Sequence, residues 1–467
     1  MEQLTTATLT QLPQVRALGR HTGRDPLTLF WTASGMELEF TGSELWVDLF
    51  ADYEVVEPWV SVELNGAWVA RFAVNPGKSR VCLFRGMTPG KAKHLRLLKD
   101  VQAMHDDPAH LLQITGLEYA GGEFLPLPEP VYRLEFVGDS ITSGEGAIGA
   151  KPEEDWVGAF FSAENHYGRL TADALGAEYR CISQSGWGIV SGWDNDVRHI
   201  LPPYYTRVCG VAMGQRNAAL GAQQENDFAA WQPDAVIVSC TKGIEQGTHK
   251  RMTEILQEYL PSNPIGVLSG PNHAEDICLG LPSASLIGFE DPKYADWVQQ
   301  IFASKTFRVY SATDIIGMQL GGTIKNVFAI GAGLCEGLNL GDNAQAALLT
   351  RGLAEMTRIG VASGGRRETF MGLSGVGDLI VTCYSRHSRN QTVGRRLAEG
   401  KSLQEILDTL GMVAEGVPNT LSVYEIARKL KVRTPLIDAV YSVLYESKPP
   451  MEALAELMTR DPRPELD

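Results

Sequence analysis

Lys325 is the only charged residue in the seventeen-residue run MQLGGTIKNVFAIGAGL. A buried ammonium is costly unless it is partnered, and desolvation lowers its pKa toward neutrality. That is the property a general acid or base needs near pH 7. The same spacing also suits a lysine that snorkels out of a half-buried helix. Ser388-Arg389-Asn390 stands at the head of the helical stretch QTVGRRLAEG. Free N–H groups and the positive dipole end of a helix start bind phosphate, and an arginine adds a bidentate fork; a plain serine cap is the alternative. Ser269-Gly270-Pro271-Asn272 follows a strand-like run, where small residues let a ligand approach the backbone or simply make a turn. Asp378, inside GVGDLIVTC, could bind a hydroxyl or hold the loop by a structural hydrogen bond. In the other half of the chain, Gly138-Asp139-Ser140-Ile141-Thr142 follows the strand-like LEFV, which suits a serine nucleophile or a purely structural turn.

These residues need elements to position them. From Leu27 to about Tyr119 the apolar residues alternate with period two, in runs such as Met36 to Phe40, Leu45 to Leu49 and Trp59 to Leu64. Asn65-Gly66 supplies a type I′ hairpin turn, and the region reads as a β-sandwich. Phe124 to Pro130, FLPLPEP, breaks regular structure and marks a boundary. Beyond it YRLEFVG and AEYRCIS read as strands around the helix YGRLTADALGA, and PDAVIVS as a third strand closing that series. IGVLSG, ASLIGF and FRVYSA read as further strands with a helix at ADWVQQIFAS, and beyond Asp314 nearly everything is helical. Leu349, Leu353 and Met356 share one helix face, Ser402 with Glu405 makes a capping box, and Thr434-Pro435 opens another helix with a threonine cap.

With 467 residues the chain has room for about three folding units. Its formal charge of −15 repels phosphate backbones and anionic lipid, so neither nucleic acid nor a membrane is expected as a partner. Seven scattered cysteines without a C-x-x-C pair read as reduced, mostly buried thiols, and no metal site is expected. The first twenty residues lack the apolar core of a signal peptide, and no apolar run is long enough to span a bilayer. The expected location is the cytoplasm.

KGIE (Lys242 to Glu245), SGPNHAED, FRVYSATDIIGMQLGGTIKNVFAIGAG, GVGDLIVTC, SRN and GMVAEG occur in this order over about 220 residues, to the end of the chain. Together they resemble bacterial NAD(P)-dependent glycerol-3-phosphate dehydrogenase. The resemblance implies reversible oxidation of sn-glycerol 3-phosphate to dihydroxyacetone phosphate, feeding phospholipid synthesis, with NAD or NADP as cofactor and room for a homodimer. It makes Lys325 the proton acceptor. It also places substrate contacts on Lys242, Gly270, Asn272, Asp378, Ser388, Arg389 and Asn390, and dinucleotide contacts on Lys242, Ala274, Arg389, Val413 and Glu415. A Rossmann unit, with G-x-G-x-x-G between a strand and a helix, is not expected: of two near misses, Gly186-Trp187-Gly188 is followed by Ser191, and Gly331-Ala332-Gly333 by Glu336.

GDSIT, Gly186 in SQSGWG and the sandwich before them resemble the SGNH-type carbohydrate esterase family 2 over roughly residues 15 to 239. The resemblance implies acetyl-ester hydrolysis with Ser140 as nucleophile and an oxyanion hole including the Ser140 and Gly186 N–H groups. The family's G-x-N-D and D-x-x-H blocks would follow Ser239, where the chain changes character. Asp196-Val197-Arg198-His199 has the second spacing but precedes the third strand.

The expected architecture is multidomain. It comprises a jelly-roll β-sandwich at 1–127, a partial SGNH-like α/β domain at 128–239 and a remnant of a dehydrogenase nucleotide-binding domain at 240–312. An all-α helical domain like that of 6-phosphogluconate dehydrogenase, binding the substrate, completes it at 313–467. Esterase strands are expected to take the place of lost Rossmann strands in a hybrid sheet. Three readings follow: the dehydrogenase, a deacetylase using Ser140, and an inactive fusion that keeps at most a phosphate site.

Overall fold

The computed structural model describes residues 4–148, 156–187, 198–226, 235–272, 276–277, 280–385, 388–410 and 414–465. The chain divides into two compact units, Met1–Asp227 and Phe228–Asp467.

The first unit is rich in sheet. One antiparallel sheet has the order Thr5–Ala7, Leu111–Ala120, Glu44–Asp52, Gly77–Arg85, with Leu27–Thr28 also pairing Leu111–Ala120. The other runs Phe124–Leu125, Gly35–Phe40, Lys93–Lys99, Trp59–Leu64, Ala67–Ala73, with Arg16–Leu18 on Gly35–Phe40. Along Glu44–Asp52, Leu45, Val47, Leu49 and Ala51 point inward and the residues between them outward, the alternation that period two requires. They join Met36, Leu38, Phe40, Val60, Val62, Leu95 and Leu97 of the other sheet in one apolar cluster. Asn65 (φ 52°) and Gly66 (φ 78°) turn the hairpin as their types predict. FLPLPEP does not break all regular structure: Phe124–Leu125 pairs with Glu39 and Phe40 before the prolines stop the ladder.

After these sheets, Tyr132–Gly138 and Ala177–Ser183 pair in parallel, joined through the helix Tyr167–Leu175, which ends on Gly176 in the left-handed region. Among the described residues they form a two-stranded sheet. The expected third strand, Ile237–Ser239, pairs instead with Ile265–Val267 in the second unit. Its Val236 and Val238 pack with Leu268, Ile287 and Val309, so side-chain burial goes with the strands that follow it in sequence.

The second unit starts with a sheet in the order Ile237–Ser239, Ile265–Ser269, Ser283–Phe289, Phe307–Ala312, whose middle pair is antiparallel. The helices Met252–Tyr259 and Pro292–Phe302 accompany it. The remainder is helical around Ile315–Gly337, in which every residue from Gly317 to Gly333 is buried. A helix apolar on all sides has to be central, and Asp342–Ala362, Asp378–Tyr384, Arg389–Ala398, Gly416–Lys429 and Pro435–Tyr445 surround it. Ser402 and Glu405 form the expected box, the Glu405 N–H donating to Ser402 and the Ser402 N–H to Glu405. The cap at Thr434 is different: its hydroxyl donates to Asp438, and the Leu436 and Ile437 N–H groups donate to the buried carboxylate of Glu355 from a neighbouring helix. A cap supplied by tertiary packing leaves no local sequence signal.

Six cysteines are described, all unpaired. Cys181, Cys209 and Cys383 are buried, whereas Cys82 and Cys240 are exposed, so burial is less general than expected. No described helix is long and apolar enough to cross a membrane.

Candidate functional site

The chemistry-bearing residues of the second unit converge on one carboxylate. Lys325 lies in the middle of Ile315–Gly337, 6% exposed, so it does not snorkel into solvent. Its Nζ donates to Asp378 Oδ1 at 2.7 Å and to Thr382 Oγ1 at 2.6 Å. Asp378 and Thr382 are one turn apart on the helix Asp378–Tyr384 and face the same way, and the Thr382 hydroxyl donates back to the Asp378 carbonyl. The second carboxylate oxygen, Oδ2, accepts from Lys242 Nζ at 2.6 Å, and the same ammonium donates to the Gly270 carbonyl at 2.9 Å. Asp378 is 1% exposed. A single negative charge therefore sits between two ammonium groups, leaving this buried cluster with excess positive charge when both lysines are protonated.

That arrangement tunes Lys325. Burial lowers its pKa to about 8, the like charge of Lys242 adds to the effect, and Asp378 and the more distant Glu415 oppose it. Around the cluster are orphaned buried polar atoms: Asn272 Oδ1, Asn326 Nδ2 and Asn419 Nδ2 have no partner among the described residues. Buried amide atoms are seldom left so, which marks this as the place where a polar ligand would complete the network.

The remaining sequence candidates among the described residues each have a place. Asn272 donates from Nδ2 to Ser285 Oγ, whose hydroxyl donates to the Ser269 carbonyl. Ser388 is buried and caps Arg389–Ala398 by accepting from the Gln391 N–H, so the plain cap is real. Arg389, the first residue of that helix, is exposed. Asn390 is buried and ties three helices together, donating to Asn326 Oδ1 and accepting from the Gly416 N–H. Glu415 is exposed at the head of Gly416–Lys429. Ala274 and Val413 lie outside the described residues. The helix carrying Ser388, Arg389 and Asn390 is held hard against the Lys325 helix: a Cβ on Gly394 would lie 2.0 Å from the Ile330 carbonyl oxygen, and one on Gly333 2.0 Å from that of Gln391. Thr382 and Asn419 escaped the sequence reading, in which Asn326 figured only as the neighbour of Lys325. Only the four-residue step from Asp378 to Thr382 could have pointed to the first of them.

The first unit presents a separate arrangement. Gly138 is in register with Ser183 at the ends of the parallel strands, and the Gln184 N–H donates to the Gly138 carbonyl at 3.2 Å. This places the Gly138-Asp139-Ser140 turn beside the Gln184-Ser185-Gly186 turn, at the carboxyl end of the sheet. Gly186 has φ 75°, a left-handed conformation natural to glycine. Ser140 begins a short helix, Ser140–Ser143, and its side chain lies outside the described set, as does Asp196. Buried Gln102 ties the two turns, its Oε1 accepting from Ser143 Oγ at 3.0 Å and from the Ser185 N–H at 2.7 Å. Among the described residues no group of three or more His, Cys, Asp or Glu side chains could hold a metal ion.

Comparison with known proteins matches residues 217–295 to the family described as NAD-dependent glycerol-3-phosphate dehydrogenase N-terminus, and residues 314–455 to its C-terminus. A glycerol-3-phosphate dehydrogenase [NAD(P)+] of Syntrophotalea carbinolica is 49% identical over 260 residues, 55% of this chain and 77% of that protein. One from Clostridium tetani is 46% identical over 232 residues, 50% of this chain and 66% of that protein. The solved structure of an acetyl xylan esterase, Est2A, from Butyrivibrio proteoclasticus is 34% identical, covers 66% of this chain and 90% of that one, and has a TM-score of 0.52.

Proposed function

This chain belongs to the NAD-dependent glycerol-3-phosphate dehydrogenase family, and from that premise we propose that it interconverts sn-glycerol 3-phosphate and dihydroxyacetone phosphate, with Lys325 as proton acceptor. The observation that carries this reading is the pair of lysines on opposite oxygens of Asp378. With a pKa of about 8, roughly a tenth of Lys325 is neutral at pH 7, enough to accept the C2 hydroxyl proton. In the reverse direction the ammonium returns that proton to the carbonyl oxygen. Lys242 holds the other carboxylate oxygen, so Asp378 keeps its place while Lys325 changes charge. The orphaned atoms of Asn272, Asn326 and Asn419 would meet the substrate's hydroxyls, and the Ser388-Arg389-Asn390 helix start its phosphate.

NAD or NADP, when bound, supplies the hydride acceptor. The only G-x-G-x-x-G spacing in the sequence, Gly144-Glu145-Gly146-Ala147-Ile148-Gly149, follows the short helix Ser140–Ser143 of the first unit, and the described part of the second unit's sheet has no glycine-rich strand-to-helix turn of that kind, so a pyrophosphate lacks its usual cradle there. Lys242, Arg389 and Glu415, with Ala274 and Val413, are the proposed contacts for it.

The four segments 1–127, 128–239, 240–312 and 313–467 are proposed as a jelly roll, a partial SGNH domain, a nucleotide-binding remnant and a 6-phosphogluconate-dehydrogenase-like helical domain. A cytoplasmic homodimer completes the proposal. The test is NADH or NADPH oxidation with dihydroxyacetone phosphate. Turnover by the full chain that falls about 100-fold or more in Lys325→Met supports the reading, and absence of any turnover together with absence of substrate binding by titration refutes it.

A second reading has its own support. The adjacent turns at Ser140 and Gly186, with the 34% identity to the acetyl xylan esterase, favour an acyl-ester hydrolase in the first unit using Ser140 as nucleophile. Release of acetate dependent on Ser140 is its test.

A further inference from the structure

We propose that Arg351, Arg358, Arg433, Arg460 and Arg463, gathered on one face of the second unit, bind a small polyphosphate. The chain as a whole carries a formal charge of −15, so an unneutralised cationic patch runs against its composition and calls for an anion. The inference uses no residue of the Lys325 cluster and depends on neither catalytic reading.

Two hydrogen bonds assemble the patch. Arg351 and Arg358 lie on one side of the helix Asp342–Ala362, two turns and about 10 Å apart. Arg358 Nε donates to the Arg433 carbonyl at 3.2 Å, which brings in the segment just before the helix Pro435–Tyr445. Arg351 Nη1 donates to the Glu465 carbonyl at 2.7 Å, which draws the tail after Pro450–Met458 to the same helix, and with it Arg460 and Arg463. The cations act on one another. Burial and then the like charges of Arg463, Arg460 and Arg358 lower the pKa of Arg433. Burial also lowers that of Arg358, where Glu355 opposes the shift and Arg351 and Arg460 add to it.

Little neutralises them. Glu355, one turn before Arg358, has its Oε1 3.9 Å from Arg358 Nη2. It already accepts from the Leu436 and Ile437 N–H groups, and burial raises its pKa to about 7, so near neutral pH it carries only part of a charge. Asp438 is paired with Arg428. Asp461 and Glu465 stand exposed in the tail, and among the described residues neither they nor Arg433, Arg460 and Arg463 make an ion pair.

A guanidinium fork pairs with two phosphate oxygens, and arginines that repel one another are all relieved by one anion placed among them. Anchors two helix turns apart ask for more than one phosphoryl group. The patch is open to solvent at Arg433 and Arg463, so the part of a ligand it can read is the phosphate chain itself. The ligand class is a di- or triphosphate chain, free or carried by a nucleotide.

The experiment is calorimetric titration of the full chain with inorganic tripolyphosphate, ATP and orthophosphate at two salt concentrations. Tripolyphosphate is expected to bind saturably, more weakly at the higher salt, and about 10-fold or more tighter than orthophosphate. The double variant Arg460→Gln/Arg463→Gln should weaken it by about 10-fold or more, whereas Arg389→Ala, at the other helix start, leaves it unchanged. The double variant should also keep the wild-type Tm without ligand and lose the rise in Tm that tripolyphosphate gives the wild type, which a folding defect would not do. ATP that binds more tightly than tripolyphosphate assigns the site to a nucleotide, and ATP that binds no more tightly assigns it to the inorganic chain. Absence of saturable binding by the wild type, orthophosphate bound as tightly as tripolyphosphate, binding that the double variant retains in full, or binding that Arg389→Ala abolishes overturns the proposal.

Discussion

Lys325 and Asp378 are fifty-three positions apart in sequence and 2.7 Å apart in space, both almost wholly buried. The contact turns a lysine that the chain could not otherwise afford into one whose proton can be exchanged, and it fixes which substitutions matter.

Removing the carboxylate should be worse than removing either lysine. Asp378→Asn keeps the shape but leaves two ammonium groups facing one another, and unpairing a buried charge costs about 3–5 kcal/mol. Urea unfolding of Asp378→Asn should show a loss of this order, and adding Lys242→Met should recover part of it. Simple addition of the two losses would mean that the three side chains are not coupled.

The pH dependence has a definite sign. Lys325 has a pKa of about 8 in the folded chain against 10.5 for an ordinary lysine. Between those values the unfolded chain holds more protons, so this group adds stability as pH rises through that window, up to about 3 kcal/mol. Below it the penalty is fully present. The wild-type minus Lys325→Met difference in unfolding free energy should therefore grow more favourable from pH 8 to pH 10, and a constant difference would place the amine in a water-like environment.

Activity should follow the same titration. Oxidation of sn-glycerol 3-phosphate needs the neutral amine, so its kcat/KM should climb with a midpoint near pH 8 and level off above it, whereas Lys325→Arg, fixed as a cation, should fall about 100-fold or more at every pH. An unaltered profile in Lys325→Arg would remove the lysine from the proton transfer.

Gly394→Ala probes how the phosphate-side helix is held. Its new methyl would meet the Ile330 carbonyl at 2.0 Å, and neither backbone can rotate away. Overpacking of this kind costs about 1–3 kcal/mol, and the displaced helix start carries Ser388, Arg389 and Asn390 with it. A lowered Tm with a raised KM for the phosphorylated substrate is expected; a lowered Tm with unchanged KM would detach this helix from substrate binding.

Much of this was legible in the residues. Period-two alternation and Asn65-Gly66 located the strands and their hairpin, and one charge in a long apolar run singled out Lys325. Ser388 was legible as a cap because a cap is a local matter. What sequence could not reveal was long-range: that Lys242 and Lys325 share one carboxylate, that Glu355 caps a helix eighty residues further on, and that Ile237–Ser239 sides with the strands after it. Partner choice in each case is set by burial across distant segments, which leaves no periodic trace along the chain.

The all-round burial of Gly317 to Gly333 also has a price in time. Its enclosing cluster reaches as far as Ala453, so during synthesis the greasy stretch leaves the ribosome more than a hundred residues before its last neighbour exists. At ordinary elongation rates that is an interval of roughly 6 to 24 seconds, long enough for chaperones to engage it and for nascent chains on one message to adhere to each other.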